Sequence, residues 1–150
     1  MSELKADISD LSSNMEDYIE TISILSKENR VVRVKDIAKS LGIKMPSVTS
    51  ALIKLRDKNL ISYEKYGYVE LTELGRNEAL RVYDKHKLLS RFLSEILLID
   101  CRTAESEACR LEHHMNQLTF DKLSRFVEFY EAEQKNNSEW ISKLRKYLKV

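Results

Sequence analysis

Cys109, Glu112 and His113 lie in the stretch "EACRLEHH", residues 107 to 114, which brings a thiol, a carboxylate and an imidazole close together in the chain. On a helix, positions i, i+3 and i+4 project from one face, so the three side chains would converge within a few ångströms. That donor set suits a first-row divalent transition metal, whereas calcium or magnesium would use only the carboxylate well. His114, one position further on, points elsewhere. The plainer alternative is a helix with a buried Cys109 and an exposed Glu112 and His113. Nucleophilic catalysis by a Cys/His pair is disfavoured, because a helix interior offers no free backbone N–H groups for an oxyanion hole.

Further donors lie elsewhere. Asp17 and Glu20 fall three apart on one side of a first helix read over residues 14 to 27, with Asn14 as its cap. Acidic residues near a helix start also favour its dipole, so this pair has a structural use as well. "DKHKLL" places His86 midway along a long helix expected from Glu73 to Leu98. Together these groups would complete a coordination sphere. Cys101, eight residues before Cys109, falls outside the cluster and is expected to be a buried or half-buried thiol.

The elements that must position these residues are mostly helical, since only three Gly and one Pro punctuate 150 residues. Val34, Ile37, Ala38 and Leu41 mark a short amphipathic helix, which Gly42 ends by taking a positive φ. Pro46 suits the first turn of a second helix running to about Lys58, which is expected to bury Val48, Leu52, Ile53 and Leu55. Two short helices around a tight turn spell helix-turn-helix. The alternating "LISYEKYGYVELT" that follows predicts a hairpin turning near Tyr66 and Gly67, giving the element order of a winged helix. Thr103 is expected to cap a helix through the cysteine-histidine cluster, and two more helices are expected over residues 119–131 and 138–149. The fold class is therefore mainly α. A winged helix-turn-helix domain over residues 1–74 precedes a helical domain over 75–150.

Charge is divided unevenly along the chain. Residues 1–25 sum to −5 and residues 26–65 to +6, although the whole chain is only +1. The basic half coincides with the helix-turn-helix, whose second helix would enter the major groove of double-stranded DNA N-terminus first. Pro46, Ser47, Thr49 and Ser50 open that helix, and its small hydroxyls would reach phosphates or base edges. Arg33, Lys35, Lys39, Lys44 and Lys54 would contact phosphates, with Lys65 and Tyr66 on the wing. A solvated basic surface on a small helical core is the alternative. Two cysteines are too few for a disulfide framework, and no run approaches the roughly 18 apolar residues of a membrane span. A cytoplasmic protein with reduced thiols and no membrane partner is expected.

"MEDYIETI", "KMPSVTSALIKL", "LISYEKYGYVELTELG", "DKHKLLSRFL" and "EACRLEHHM" occur in an order and at a spacing that resemble the diphtheria toxin repressor and manganese transport regulator family. The resemblance covers the chain from Met15 to about Phe129. It implies a metal-activated, homodimeric transcriptional repressor, not an enzyme, in the short form without an SH3-like domain. Helical dimerisation and metal-binding elements would follow the wing. The implied metal residues are Asp17, Glu20, His86, Cys109, Glu112 and His113. Asp17 and Glu20 match the carboxylates of the manganese members and Cys109 the thiol of the iron members, while Glu112 and His113 match both. His86 matches a histidine of a bridging or ancillary site. Ser90 stands where a helping Glu is often found, and Glu105 where iron members have an ancillary His.

Hard carboxylates suit Mn²⁺ and a thiolate favours Fe²⁺, Co²⁺, Ni²⁺ or Zn²⁺, so Mn²⁺ and Fe²⁺ both stay open as corepressor. Metal would tie the first helix to the dimerisation region and set the two heads for a palindromic operator of metal-homeostasis genes. The rivals are a winged-helix regulator triggered by oxidation of Cys109 and a metal-dependent enzyme with Glu112 as base.

Overall fold

The computed structural model describes residues 11–64 and 67–149. The chain divides into two compact units, one reaching to Val82 and the other starting at Tyr83.

In the first unit, α1 (Ser13–Glu28) packs with α2 (Val34–Leu41), α3 (Met45–Asp57) and an antiparallel hairpin of β1 (Ile61–Tyr63) and β2 (Val69–Leu71). The hairpin register pairs Ile61 with Leu71, Ser62 with Glu70 and Tyr63 with Val69. Both strands bury their first and third residues, as a half-buried sheet with a period of two requires. The core is aliphatic: Ile19, Ile22, Ile37, Val48, Leu52 and Leu55 are wholly buried. Ile53, expected among them, is instead exposed, because Val48, Leu52 and Leu55 already fill the buried face of α3.

Local chemistry sets the joints. Gly42 ends α2 at φ +66°, the left-handed cap its sequence implies. Pro46 lies in the first turn of α3, where its missing N–H costs no helical bond. The Thr72 hydroxyl donates to Asn59 O at 2.7 Å and accepts from Gly75 N–H at 3.1 Å, pinning the start of α4 (Glu73–Arg91) to the turn after α3. Gly75 lies so close to this turn that a Cβ there would sit 1.9 Å from Leu60 O.

Towards its end α4 runs into a π-helical turn, Phe92–Ile96, and not into the regular helix expected to Leu98. Leu98 then takes φ +59° and redirects the chain. Asp100, rather than Thr103, caps α5 (Cys101–Leu111): its carboxylate accepts from Thr103 N–H at 3.0 Å. A 3₁₀ turn, Glu112–His114, follows, then α6 (Gln117–Asn136) and α7 (Ser138–Leu148). Within the second unit, Leu89 and Leu93 pack against Ala104 and Ala108 of α5, while Ile96 packs with Val127, Tyr130 and Ile141. Among the described residues no helix is long and apolar enough to cross a membrane.

Candidate metal centre and DNA face

α5 buries Ala104 and Ala108 completely, and these small side chains let it lie close to α4. Glu112 continues that i, i+4 stripe and is 1% exposed, although it sits in the 3₁₀ turn beyond the helix. A carboxylate so deep needs partners. His86 of α4 supplies one, with Nδ1 2.6 Å from Glu112 Oε2, and His113 Nε2 lies 3.4 Å from Glu112 Oε1. The other face of His86 is held as well: Nε2 is 2.7 Å from Glu105 Oε1, and Ser90 donates to Glu105 Oε2 at 2.9 Å.

Burial acts to lower the His86 pKa, but the two carboxylates outweigh it and leave the imidazole above its usual value. The His86 and Ser90 hydrogen bonds hold Glu105 below the usual carboxylate range. Lys85, also buried, donates from Nζ to Met115 O at 2.5 Å and ties α4 to the end of the 3₁₀ turn.

The second unit therefore brings His86, Glu112 and His113 together. Burial runs opposite to the plain helix alternative: Glu112 is buried and Cys109 is exposed on the last turn of α5. Cys101 is exposed too, not buried or half-buried, because it opens α5 beside the solvent-facing Asp100 cap. Among the described residues no three His, Cys, Asp or Glu groups surround a point as metal ligands do. The acids and imidazoles are paired to one another. In the sequence Glu105 stands out only as a mismatch to the family pattern, and Lys85 does not stand out at all. A carboxylate at 105 one turn before Cys109 was the signal for the first, and a lysine beside His86 for the second.

Asp17 and Glu20 belong to the first unit, both half-buried on α1. Asp17 lines a small cavity with Asn14, Tyr18, Leu41, Ile43 and Ser47, so it shares a space with the turn before α3 and the helix's first residues. Burial and the Asp17 charge push the Tyr18 phenol up.

On the basic face, Arg33, Lys35, Lys44, Pro46, Ser47, Ser50 and Lys54 are all exposed. Thr49 is half-buried and donates its hydroxyl to Met45 O at 3.1 Å. Lys65 and Tyr66 lie outside the described residues. Tyr68, which sequence reasoning did not single out, stands 50% exposed next to β2 with the Arg33 guanidinium 5.2 Å above its ring.

A helix-turn-helix with a two-stranded wing and an exposed basic second helix defines a winged-helix DNA-binding protein. The chain belongs to the iron-dependent repressor family, that of the diphtheria toxin repressor and manganese transport regulators. Residues 10–69 match its N-terminal DNA-binding domain and residues 72–141 its metal-binding and dimerisation domain. An HTH-type transcriptional regulator of Methanocaldococcus jannaschii is 40% identical over 119 residues, 79% of this chain and 95% of that protein. The regulator MntR of Bacillus subtilis is 34% identical over 80% of this chain and 84% of its own length. A manganese-dependent transcriptional repressor solved with manganese superposes with a TM-score of 0.69 at 26% identity, covering 77% of this chain and 53% of that longer one. The protein is thus a homodimeric, metal-responsive, DNA-binding repressor and not an enzyme.

Proposed function

We propose that Mn²⁺ or Fe²⁺ is the corepressor of this chain, with His86, Cys109, Glu112 and His113 as its metal residues in the second unit and Asp17 and Glu20 as those of the first. The observation that carries this is Glu112, an acid buried to 1% exposure with an imidazole on each oxygen. A carboxylate, two imidazoles and a nearby thiol fit a transition-metal ion, which would supply the positive charge that binds these groups in one sphere. Residues 1–74 act as the DNA-binding domain and 75–150 as the dimerisation and metal-binding domain. Arg33, Lys35, Lys44, Pro46, Ser47, Thr49, Ser50, Lys54, Lys65 and Tyr66 form the operator face, and the protein works in the cytoplasm on metal-homeostasis genes.

What the chain's own residues do follows from their placement. Glu105, itself held by the Ser90 hydroxyl, holds the His86 ring, and Lys85 fixes the turn that carries Glu112 and His113. Asp17 lines the cavity shared with Ser47, so a change of charge at Asp17 is felt at the start of the recognition helix. Metal binding gains its effect by favouring the DNA-competent state over the others.

The test titrates Mn²⁺ and, anaerobically, Fe²⁺ while following binding to a palindromic promoter duplex. Operator binding indifferent to both metals and to a chelator sinks the corepressor reading. The exposure of Cys109 favours a second arm: Cys109→Ala that keeps its metal response while losing a response to peroxide would support oxidation as the trigger.

A further inference from the structure

Between the N-terminus of α2, the N-terminal turns of α3 and the wing lies a mostly apolar notch lined by Arg33, Lys35, Met45, Thr49, Tyr63 and Gly67. Its floor includes the buried Tyr63, and Met45 stands 52% exposed at its edge. Arg33 and Lys35 are exposed and put two positive charges on the rim. Arg33 is not a loose surface arginine. Its guanidinium lies 5.2 Å from the Tyr68 ring centroid, with Nη2 3.5 Å from the Tyr68 hydroxyl. Cation–π contact of this kind restricts a flexible side chain at modest gain in energy. Its backbone N–H meanwhile donates to Asp36 Oδ2 at 3.0 Å, so the start of α2 does not depend on the Arg33 side chain.

With the recognition helix in the major groove and the wing on the neighbouring minor groove, the DNA strand dividing those grooves must pass over the gap between them. We propose that the notch seats one deoxyribose–phosphate of that strand: the apolar floor takes the sugar, Arg33 takes the phosphate, and Tyr68 is the positioning residue that holds Arg33 in place. Positive rim charge against phosphate and apolar lining against sugar are the complementarity that selects DNA backbone as the occupant. The inference rests on the DNA-binding reading of this face.

The experiment uses the Mn²⁺-loaded full chain and a duplex that it enriches from a randomised library, with affinity read by anisotropy across a salt series. Arg33→Ala is expected to weaken binding about tenfold and to lower the slope of log K against log salt by about 0.9 for each phosphate it no longer neutralises. Tyr68→Ala moves affinity and slope in the same direction, Tyr68→Phe retains both, and Arg33→Ala/Tyr68→Ala binds no worse than Arg33→Ala alone. Single methylphosphonates walked along the duplex identify one phosphate per half-site whose neutralisation weakens the wild type and leaves Arg33→Ala unaffected. Both residues are exposed, so unchanged thermal melting separates these effects from unfolding. Additive effects of the two substitutions, or an unchanged salt slope in Arg33→Ala, overturn the notch while leaving DNA binding intact. Enrichment of no duplex by the wild type overturns the DNA reading and the notch with it.

Discussion

Glu105 grips the Nε2 side of His86 at 2.7 Å, while the Nδ1 side of the same ring faces Glu112 at 2.6 Å. One carboxylate fixes the ring's orientation, leaving the opposite nitrogen directed at the buried acid. A carboxylate behind a ligating histidine orients it and raises its basicity. Glu105→Gln is therefore expected to weaken Mn²⁺ binding about tenfold without unfolding the protein, as read by calorimetry. Unaltered affinity would show that the ring needs no such support.

The thiol makes a different prediction. Cys109→Glu replaces a soft donor by a hard one, so the affinity for Mn²⁺ relative to Zn²⁺ should rise. Competition between the two ions for the same preparation measures it, and a ratio equal to the wild type's would place Cys109 outside the coordination sphere.

Arg81 stands between two buried acids. It donates to Glu16 of α1 at 3.2 Å and from Nε to Glu78 at 3.0 Å, and those two side chains are only 6% and 7% exposed. Removing the arginine leaves both charges in the interior with one fewer counter-charge. Arg81→Ala should cost about 3 kcal/mol in denaturant unfolding, somewhat below the cost for a fully enclosed pair because the guanidinium is partly solvated. Glu78→Gln in the same chain should restore part of the loss.

Gly75 is a steric requirement, not a flexible joint. A Cβ there would meet Leu60 O at 1.9 Å and Leu71 Cδ2 at 3.1 Å, and the first of these is backbone that cannot swing aside. Gly75→Ala should destabilise the first unit by about 3 kcal/mol through overpacking, despite alanine's better helix propensity. A neutral substitution would mean that α4 can withdraw from the turn after α3 at little cost.

Asp100 carries a pH signature. Hydrogen bonds from the Thr103 hydroxyl and N–H hold its carboxyl below the usual carboxylate value of 3.8. Because the folded value is depressed, the stabilisation is present above the unfolded pKa and is lost as pH falls through the folded one. Asp100→Asn keeps a capping side chain without the titration. The wild-type advantage in melting temperature over this variant should therefore shrink on acidification below about pH 4 and stay flat above it.

The DNA head was legible because its signals are local. Gly42 and Pro46 mark one helix end and one helix start whatever surrounds them, and the alternation around Ile61 and Val69 has the period of a strand. Ile53 misled because an apolar residue beside a filled stripe looks the same in sequence as one within it. In the candidate metal centre the residue types stand in the sequence, but their burial does not. Nothing in "EACRLEHH" says that Ala104 and Ala108 turn Glu112 inward and leave Cys109 outside, since that depends on how closely α5 approaches α4. Arg81 was illegible for a similar reason: its partner Glu16 lies 65 residues away.

The π turn at Phe92–Ile96 holds one residue more per turn than the α-helix leading into it. Were the same five residues to relax into a regular α-helix, everything that follows would turn by roughly 90° further around its axis. His86 precedes that turn; Cys109, Glu112 and His113 come after it. The phase between the two halves of the candidate cluster is thus set by how a single surplus residue is absorbed, and a substitution that lets the π turn relax would swing His86 away from Glu112 without touching either side chain.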